Sequence, residues 1–204
     1  MRKITFDIET KNTFAEVESN DPVALDISVV CIHDSGDAEK GIEPTGDNGY
    51  SSYLQEDFPK LWPILERADM FITFNGNHFD IPLLNKYYSG DLTKIKSLDL
   101  LAEVRASLGK RIKLDTLAEA TLGKNKSGHG LDAIVWWQKG EIDKIIKYCL
   151  EDVKITKELY DYAVANKILK FKDFAQAGAI RDIKLDPSNW EKAIENTMTF
   201  TLPF

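Results

Sequence analysis

Residues 3–10 read KITFDIET and predict a β-strand with two acidic side chains near its end. From Ile4 to Ile8 every second residue is apolar, so these side chains occupy one face of the strand and Asp7 lies on the other. Glu9 follows Asp7 by two positions, and side chains two residues apart leave the same face of a strand. The two carboxylates can therefore hold one cation, although acidic pairs on strands also occur as solvent-facing residues with no further role.

Strand and turn signals continue through the first half of the chain. Residues 25–33, LDISVVCIH, are rich in β-branched side chains and predict a second strand that forms a hairpin with the first. The segment 36–53 is rich in Gly, Asp, Asn and Ser and predicts turns around a short third strand near 41–43. Residues 70–74, MFITF, predict a buried strand that ends at an Asn-Gly turn before a helix.

Helical patterns dominate the second half of the chain. The longest runs from Glu141 to about Asn166 without Gly or Pro and carries apolar side chains along one face. Shorter helices are predicted for 99–108, 113–121 and 131–138, and strands for 168–174 and 179–185. The sequence therefore predicts an α/β fold in which a mixed central β-sheet begins with antiparallel strands and is flanked by α-helices.

The composition indicates a soluble protein with one α/β domain. The chain has 204 residues, of which 43% are apolar and 29% charged, values that are ordinary for a globular protein. No apolar run is long enough to span a membrane and the N-terminus lacks a signal pattern, so we expect a cytoplasmic protein with no membrane partner. Cys31 and Cys149 lack the close spacing of a zinc or redox motif, which favours two reduced core thiols.

The net charge of −7 bears on the kind of nucleic-acid contact that is possible. Coating nucleic acid nonspecifically requires clustered Lys and Arg to neutralise phosphates, which this charge argues against. A nuclease is compatible with it, because an enzyme grips only a few nucleotides and its metal-binding carboxylates add negative charge.

Two further acidic residues stand where an α/β fold could bring them to the end of the first strand. Asp80 follows the strand 70–74 and its turn, near the start of a helix, where it could equally serve as a helix cap. Tyr148 and Asp152 are four residues apart on the long helix and share one face. Several carboxylates holding two cations are what hydrolysis of a phosphodiester by the two-metal route requires.

Three motifs together resemble a known family. FDIET (6–10), FNGNHFDIPLL (74–84) and YCLEDVKITKELYDY (148–162) occur in this order. They are similar to the three exonuclease motifs of the DEDDy branch of the DnaQ-like 3′→5′ exonucleases, as found in the proofreading domain of family B DNA polymerases and in bacterial stand-alone ribonuclease H-like exonuclease domains. The resemblance covers roughly residues 1 to 165. It implies a ribonuclease H-like fold, two Mg²⁺ or Mn²⁺ ions, and release of nucleoside 5′-monophosphates from the 3′ end of a single strand, with DNA favoured over RNA.

The resemblance also implies roles for individual residues. The metal-binding acids of the family match Asp7, Glu9, Asp80 and Asp152, and its catalytic tyrosine matches Tyr148. The branch that uses histidine would carry it one position earlier, where this chain has a lysine. A tyrosine hydroxyl, with an ordinary pKa near about 10, is a poor general base but can orient the attacking water.

Candidate substrate contacts come from the second motif and from a later turn. Asn75 and Phe79 match positions that border the substrate strand in the family, and His129 lies in the turn SGHG beside lysines. A solvated loop explains His129 equally well. The basic run at 110–113 could bind the nucleic-acid strand or could simply form a solvated face. Asp99 could join the site or could serve as a helix N-cap.

The division of the chain and its function leave alternatives open. We expect a ribonuclease H-like exonuclease domain over residues 1–166 and a C-terminal extension, 167–204, that packs on the same domain. Catalytically silent relatives that bind nucleic acid or protein share such folds, and so do structure-selective endonucleases. Paired tryptophans at 136 and 137 can stack on bases or pack a helix on the core.

Overall fold

The protein, described by a computed structural model over residues 1–124 and 130–192, is built around a five-stranded mixed sheet. The strands in this part of the chain are β1 (Lys3–Thr10), β2 (Ile27–Asp34), β3 (Tyr50–Tyr53), β4 (Met70–Thr73), β5 (Ser97–Asp99), β6 (Ile168–Asp173) and β7 (Ala179–Lys184). The first five form the sheet in the order β3-β2-β1-β4-β5, and the last two form an antiparallel ribbon. The predicted α/β class, a mixed sheet with an antiparallel start, is confirmed.

Helices cover both faces of the sheet. The α-helices of the described residues are α1 (Phe58–Leu65), α2 (Asp80–Asn85), α3 (Leu100–Leu108), α4 (Leu114–Leu122), α5 (Gly130–Gln138) and α6 (Ile142–Asn166). The positions of α3, α4, α5 and α6 agree with the predicted helices to within one or two residues, and α6 is the long helix that was predicted. No helix in the described ranges has both the length and the apolar character needed to cross a membrane.

The strand β1 is the centre of the sheet. It pairs with β2 in antiparallel orientation and with β4 in parallel orientation. Its apolar side chains, such as Phe6, pack with α1 and α2 on one face. Asp7 and Glu9 lie on the other face, opposite Cys31 and Val29 of β2, where α5 and α6 pack. The carboxylates of β1 therefore face the long helix.

The third strand is not where the sequence predicted it. Residues 41–43 contribute only an isolated bridge between Asp37 and Ile42, and the strand that pairs with β2 is β3, Tyr50–Tyr53. The sequence of β3 is YSSY, which lacks the alternating apolar pattern of a half-buried strand. Pairing with β2 at the edge of the sheet, rather than its own side chains, makes this segment a strand.

The β6–β7 ribbon packs on helices that follow the sheet. Leu169 and Phe171 of β6 are fully buried in a cluster that also contains Leu117 of α4 and Leu159 of α6. Most of β7 is exposed, with Ile183 as its buried residue. The ribbon therefore adds to the hydrophobic core that lies beneath α4 and α6.

Candidate active site

Three carboxylates converge where β1 meets α6. One oxygen each from Asp7, Glu9 and Asp152 can be chosen such that all three lie within 4.8 Å of one another. Glu9 and Asp152 are 8% and 5% exposed, and Asp7 is half-buried. Oxygens about 2.1 Å from a common Mg²⁺ lie within roughly 4.2 Å of one another, so this spacing suits a shared cation after small side-chain adjustments.

Strand alternation and helix packing together bring these acids into contact range. Asp7 and Glu9 point from the same face of β1, and α6 crosses that face with Cys149 and Val153 buried against β2. The Cys149 thiol donates to the backbone oxygen of Asp7 at 3.3 Å and lies 3.7 Å from its Oδ2. Asp152, three residues further along the helix, is therefore held beside the carboxylates of β1.

The thiol beneath Asp7 is a feature that sequence reasoning missed as part of the site. Cys149 and Cys31 are both free and buried. Burial, followed by the neighbouring Cys31 thiol, raises the pKa of Cys149 well above its ordinary value, so it remains a neutral S–H donor. A separation of 142 residues between Cys149 and Asp7 left no local signal for this contact.

Asp80 lies near the three-acid cluster, but it is not among the residues whose carboxylate oxygens lie within 4.8 Å of one another. It occupies the first turn of α2 and is 4% exposed. Burial, with added repulsion from Asp99 and Asp152, raises the pKa of Asp80 to about 7, against the opposing effect of backbone hydrogen bonds. The N-cap of α2 is Phe79 rather than Asp80. The carboxylate of Asp80 accepts hydrogen bonds from backbone groups of its own residue and of Ile8 in β1.

Tyr148 lies one helical turn before Asp152, as predicted. Its ring is 3% exposed and packs edge-on against Trp136 of α5, with ring centroids 5.8 Å apart. Lys147, at the position where the histidine branch of the family would place its base, is exposed. The tyrosine is therefore held rigidly on the helix that also carries Asp152.

The residues predicted to contact substrate have different surroundings: Asn75 lines a cleft, whereas Phe79 packs against another aromatic ring. Asn75 adopts a left-handed backbone with φ of 72°, and its side-chain oxygen accepts a hydrogen bond from Arg111 at 2.8 Å. Both line an open cleft of about 620 Å³. Phe79 is half-buried and packs edge-on against Phe14 at 6.2 Å. The prediction for His129 lies outside the described residues.

Asp99 supports the loop that precedes Asp80. Its carboxylate caps α3 through the N–H of Leu101 at 3.0 Å, which is the N-cap role weighed from the sequence. The same oxygen accepts from the N–H of Asn75 at 2.7 Å. This second bond fixes the strained turn after β4, and neither it nor the link from Arg111 to Asn75 could be read from local sequence.

Comparison with known proteins assigns the family. The sequence profile of the RNase_H superfamily matches residues 4–164. The chain belongs to the RNase_H superfamily. The match includes β1, α2 and α6, the three elements that carry the candidate acids.

Relatives of this RNase_H superfamily member include DNA polymerases. An alignment of 121 residues is 30% identical to a DNA polymerase of Thermococcus aggregans and covers 45% of this chain and 7% of that protein. The solved family B DNA polymerase from the archaeon Pyrobaculum calidifontis is similar in fold, with a TM-score of 0.57 and 18% identity over 80% of this chain and 24% of that chain. The resemblance to family B DNA polymerases is confirmed, and the chain spans less than a quarter of either relative.

The acid cluster of this RNase_H superfamily member fits a divalent metal. RNase H-like nucleases use divalent metals, and hard cations such as Mg²⁺ and Mn²⁺ prefer carboxylate oxygens. Two largely buried carboxylates beside a third, with Asp80 close by, create a region of strong negative potential in a poorly hydrated place. A bound cation would offset that repulsion, and Asp7, Glu9 and Asp152 are the residues that would hold it.

Proposed function

We propose that this chain is a metal-dependent 3′→5′ exonuclease that releases nucleoside 5′-monophosphates from single-stranded nucleic acid, with DNA preferred over RNA. The convergence of Asp7, Glu9 and Asp152 from two separate motifs carries the proposal. Family membership supports a nuclease, and the DNA polymerase relatives support the preference for DNA.

The proposed catalytic set is Asp7, Glu9, Asp80, Tyr148 and Asp152. Two divalent cations, Mg²⁺ or Mn²⁺, would when bound activate the attacking water and stabilise the leaving oxygen. Asp7, Glu9 and Asp152 would hold them, and Asp80 would join once ionised. Tyr148 would orient the attacking water through its hydroxyl group, one helical turn from Asp152.

The substrate strand is proposed to pass over the loop between β4 and α2. Asn75, fixed by Arg111 and Asp99, would meet the strand beside the acids, and Phe79 would border it. Arg105 and His78 line the same cleft as Asn75 and add donors for phosphate oxygens. These contacts are limited to a few nucleotides, which agrees with the acidic net charge.

Digestion of end-labelled strands tests the proposal. Purified protein is incubated with 5′-labelled single-stranded DNA and RNA of equal sequence, with Mg²⁺ or Mn²⁺ and with EDTA as control. We expect a ladder that shortens from the 3′ end, nucleoside 5′-monophosphate as product, and no reaction in EDTA. Internal fragments would indicate an endonuclease instead, and intact strands under every metal condition would indicate a catalytically silent binding protein.

A further inference from the structure

A basic cleft lies where the segment before α4 meets the β6–β7 ribbon. It has a volume of about 460 Å³, and we call it the ribbon cleft. The match to the RNase_H superfamily ends at residue 164, so the side of the cleft formed by the ribbon lies outside it. Although the whole chain has a net charge of −7, the described lining of this cleft carries four cations and one carboxylate: Lys110, Arg111, Lys113, Lys172 and Asp173.

The carboxylate of the ribbon cleft is already balanced by cations. Asp173 is 6% exposed, and its Oδ2 accepts from Nη1 of Arg181 at 3.2 Å. The Lys110 ammonium lies 4.0 Å from the other oxygen of Asp173 and 4.9 Å from the centroid of the Phe171 ring. Two cations therefore surround this one acid, and the potential of the cleft stays positive.

The other cations of the ribbon cleft can turn to an anion. Lys113 is exposed and has no ion pair with a described residue. The Lys172 ammonium lies 3.5 Å from Glu119 Oε1, but these side chains are 40% and 50% exposed. Ion pairs that are this exposed contribute little to stability, so a phosphate can replace the carboxylate as the partner of the lysine.

An exposed aromatic ring stands at the rim of the ribbon cleft. Phe174 is 74% exposed and lies in the turn between β6 and β7. The turn is fixed by Asp173, which accepts from the N–H groups of Ala175 at 3.2 Å and Gly178 at 3.0 Å. The Lys172 ammonium lies 5.9 Å from the centroid of the Phe174 ring. An accessible ring beside several cations suits a single nucleic-acid strand, whose bases stack and whose phosphates need positive charge.

Arg111 connects the ribbon cleft with the candidate active site. It lines both this cleft and the open cleft that contains Asn75. Its Nη2 donates to the side-chain oxygen of Asn75 at 2.8 Å, in the loop that leads to Asp80. A strand that passes Asn75 on its way to the acids can therefore continue over Arg111 into the ribbon cleft.

We propose that the ribbon cleft binds the single-stranded substrate upstream of its 3′ end, with one base on Phe174 and phosphates at Lys110, Lys113 and Lys172. The direction of the strand rests on the proposed exonuclease function, whereas binding in the cleft does not require catalysis. The cleft would hold the strand between successive cuts. The enzyme would therefore remove several nucleotides in one encounter.

Strand affinity can be measured without cutting. A labelled single strand of about 20 nucleotides, longer than the usual site of one binding module, is titrated in EDTA at several salt concentrations and followed by fluorescence anisotropy. Phe174→Leu should weaken binding by about fivefold or more, and Phe174→Trp should retain it. Lys113→Gln should lower the slope of log affinity against log salt by about 0.7, which is the share of one phosphate. Lys60→Gln, which alters an exposed lysine of α1, is the matched control and should change neither value.

The base that meets Phe174 can be located along the strand. The fluorescent base 2-aminopurine, whose emission falls when it stacks, is placed at one position at a time. We expect quenching at an internal position that Phe174→Leu relieves. Relief at the 3′-terminal base alone or at no position overturns the proposal, and so do wild-type affinity and salt slope in both Phe174→Leu and Lys113→Gln. Binding lost as expected, in a protein that digests no strand, supports the ribbon cleft and contradicts only the nuclease activity.

Discussion

The carboxyl group of Asp80 is the most buried of the four candidate acids, at 4% exposed. Burial and two neighbouring carboxylates raise its pKa to about 7, so this group is half protonated near neutral pH in the metal-free protein. Asp99, which contributes to this repulsion, is itself engaged in capping α3. The ionisation of Asp80 therefore depends on its burial and on the neighbouring charges.

Asp80 should make the stability of the metal-free protein depend on pH. Because its folded pKa of about 7 lies above the ordinary value of 3.8, its contribution to stability is fully present below about pH 4 and is lost as the pH rises through 7. Urea unfolding with a chelator present should therefore show a smaller loss of stability from pH 5.5 to 8 for Asp80→Asn than for the wild type. Equal losses in both proteins would contradict the assigned environment.

At the scale of elements, the hairpin of β1 and β2 is fixed at its outer end by a buried ion pair. Asp34 is fully buried and accepts from Arg2 Nε at 2.9 Å and Nη2 at 2.5 Å, and also from Gly36 and Thr45. Burial alone would raise the pKa of Asp34, but these hydrogen bonds outweigh it and lower the pKa to about 2. The register that sets Asp7 and Glu9 opposite β2 depends on this hairpin.

Loss of the Asp34 charge should destabilise the fold above about pH 4. A pKa lowered from 3.8 to about 2 corresponds to about 2 kcal/mol of stability, present above pH 4 and lost as the pH falls through 2. Asp34→Asn should cost at least that much at pH 7 in urea unfolding. The control Asp57→Asn removes a charge that pairs with exposed Lys60 at the surface and should have little effect. Equal costs for the two substitutions would refute the role of the ion pair.

Most elements could be predicted because their own residues determine them. Alternation marks β1, and a stripe of apolar side chains marks α6. The strand β3 could not be predicted, because its YSSY sequence becomes a strand only by pairing with β2. The local sequence pattern therefore predicted the order of most strands and helices. The strand that it did not predict, β3, is determined by pairing between residues distant in sequence.

At the scale of the whole molecule, the site is assembled from residues distant in sequence. The three motifs predicted that Asp7, Glu9 and Asp152 belong together, and the structure places them within reach of one cation. The Cys149 thiol beneath Asp7 could not be predicted, and neither could the bond from Arg111 to Asn75. Such contacts depend on how α6 and the segment after α3 pack on the sheet, which no local pattern encodes.

The division at residue 166 remains a prediction, and the β6–β7 ribbon offers its test. Phe171 of β6 is 2% exposed and shares a buried cluster with α4 and α6, whereas Phe174 is 74% exposed. If residues from 167 onward pack on the same domain, Phe171→Ala should lower the free energy of unfolding by about 3–5 kcal/mol in a single transition. Phe174→Ala should change it little. A second, separate transition in urea unfolding would show that the extension folds as its own unit.

The measurement that decides the central proposal is the rate of 3′-end shortening by Asp152→Asn beside Asp161→Asn. Both residues lie on α6, but Asp161 pairs with Lys157 at the exposed surface, away from the acid cluster. Loss of a group that only supports a metal ligand costs about 10–100-fold, so loss of the ligand itself should lower the rate by at least about 100-fold. We predict that loss for Asp152→Asn and a wild-type rate for Asp161→Asn, with unchanged circular dichroism in both. A wild-type rate in Asp152→Asn would contradict a metal-dependent nuclease site at this position.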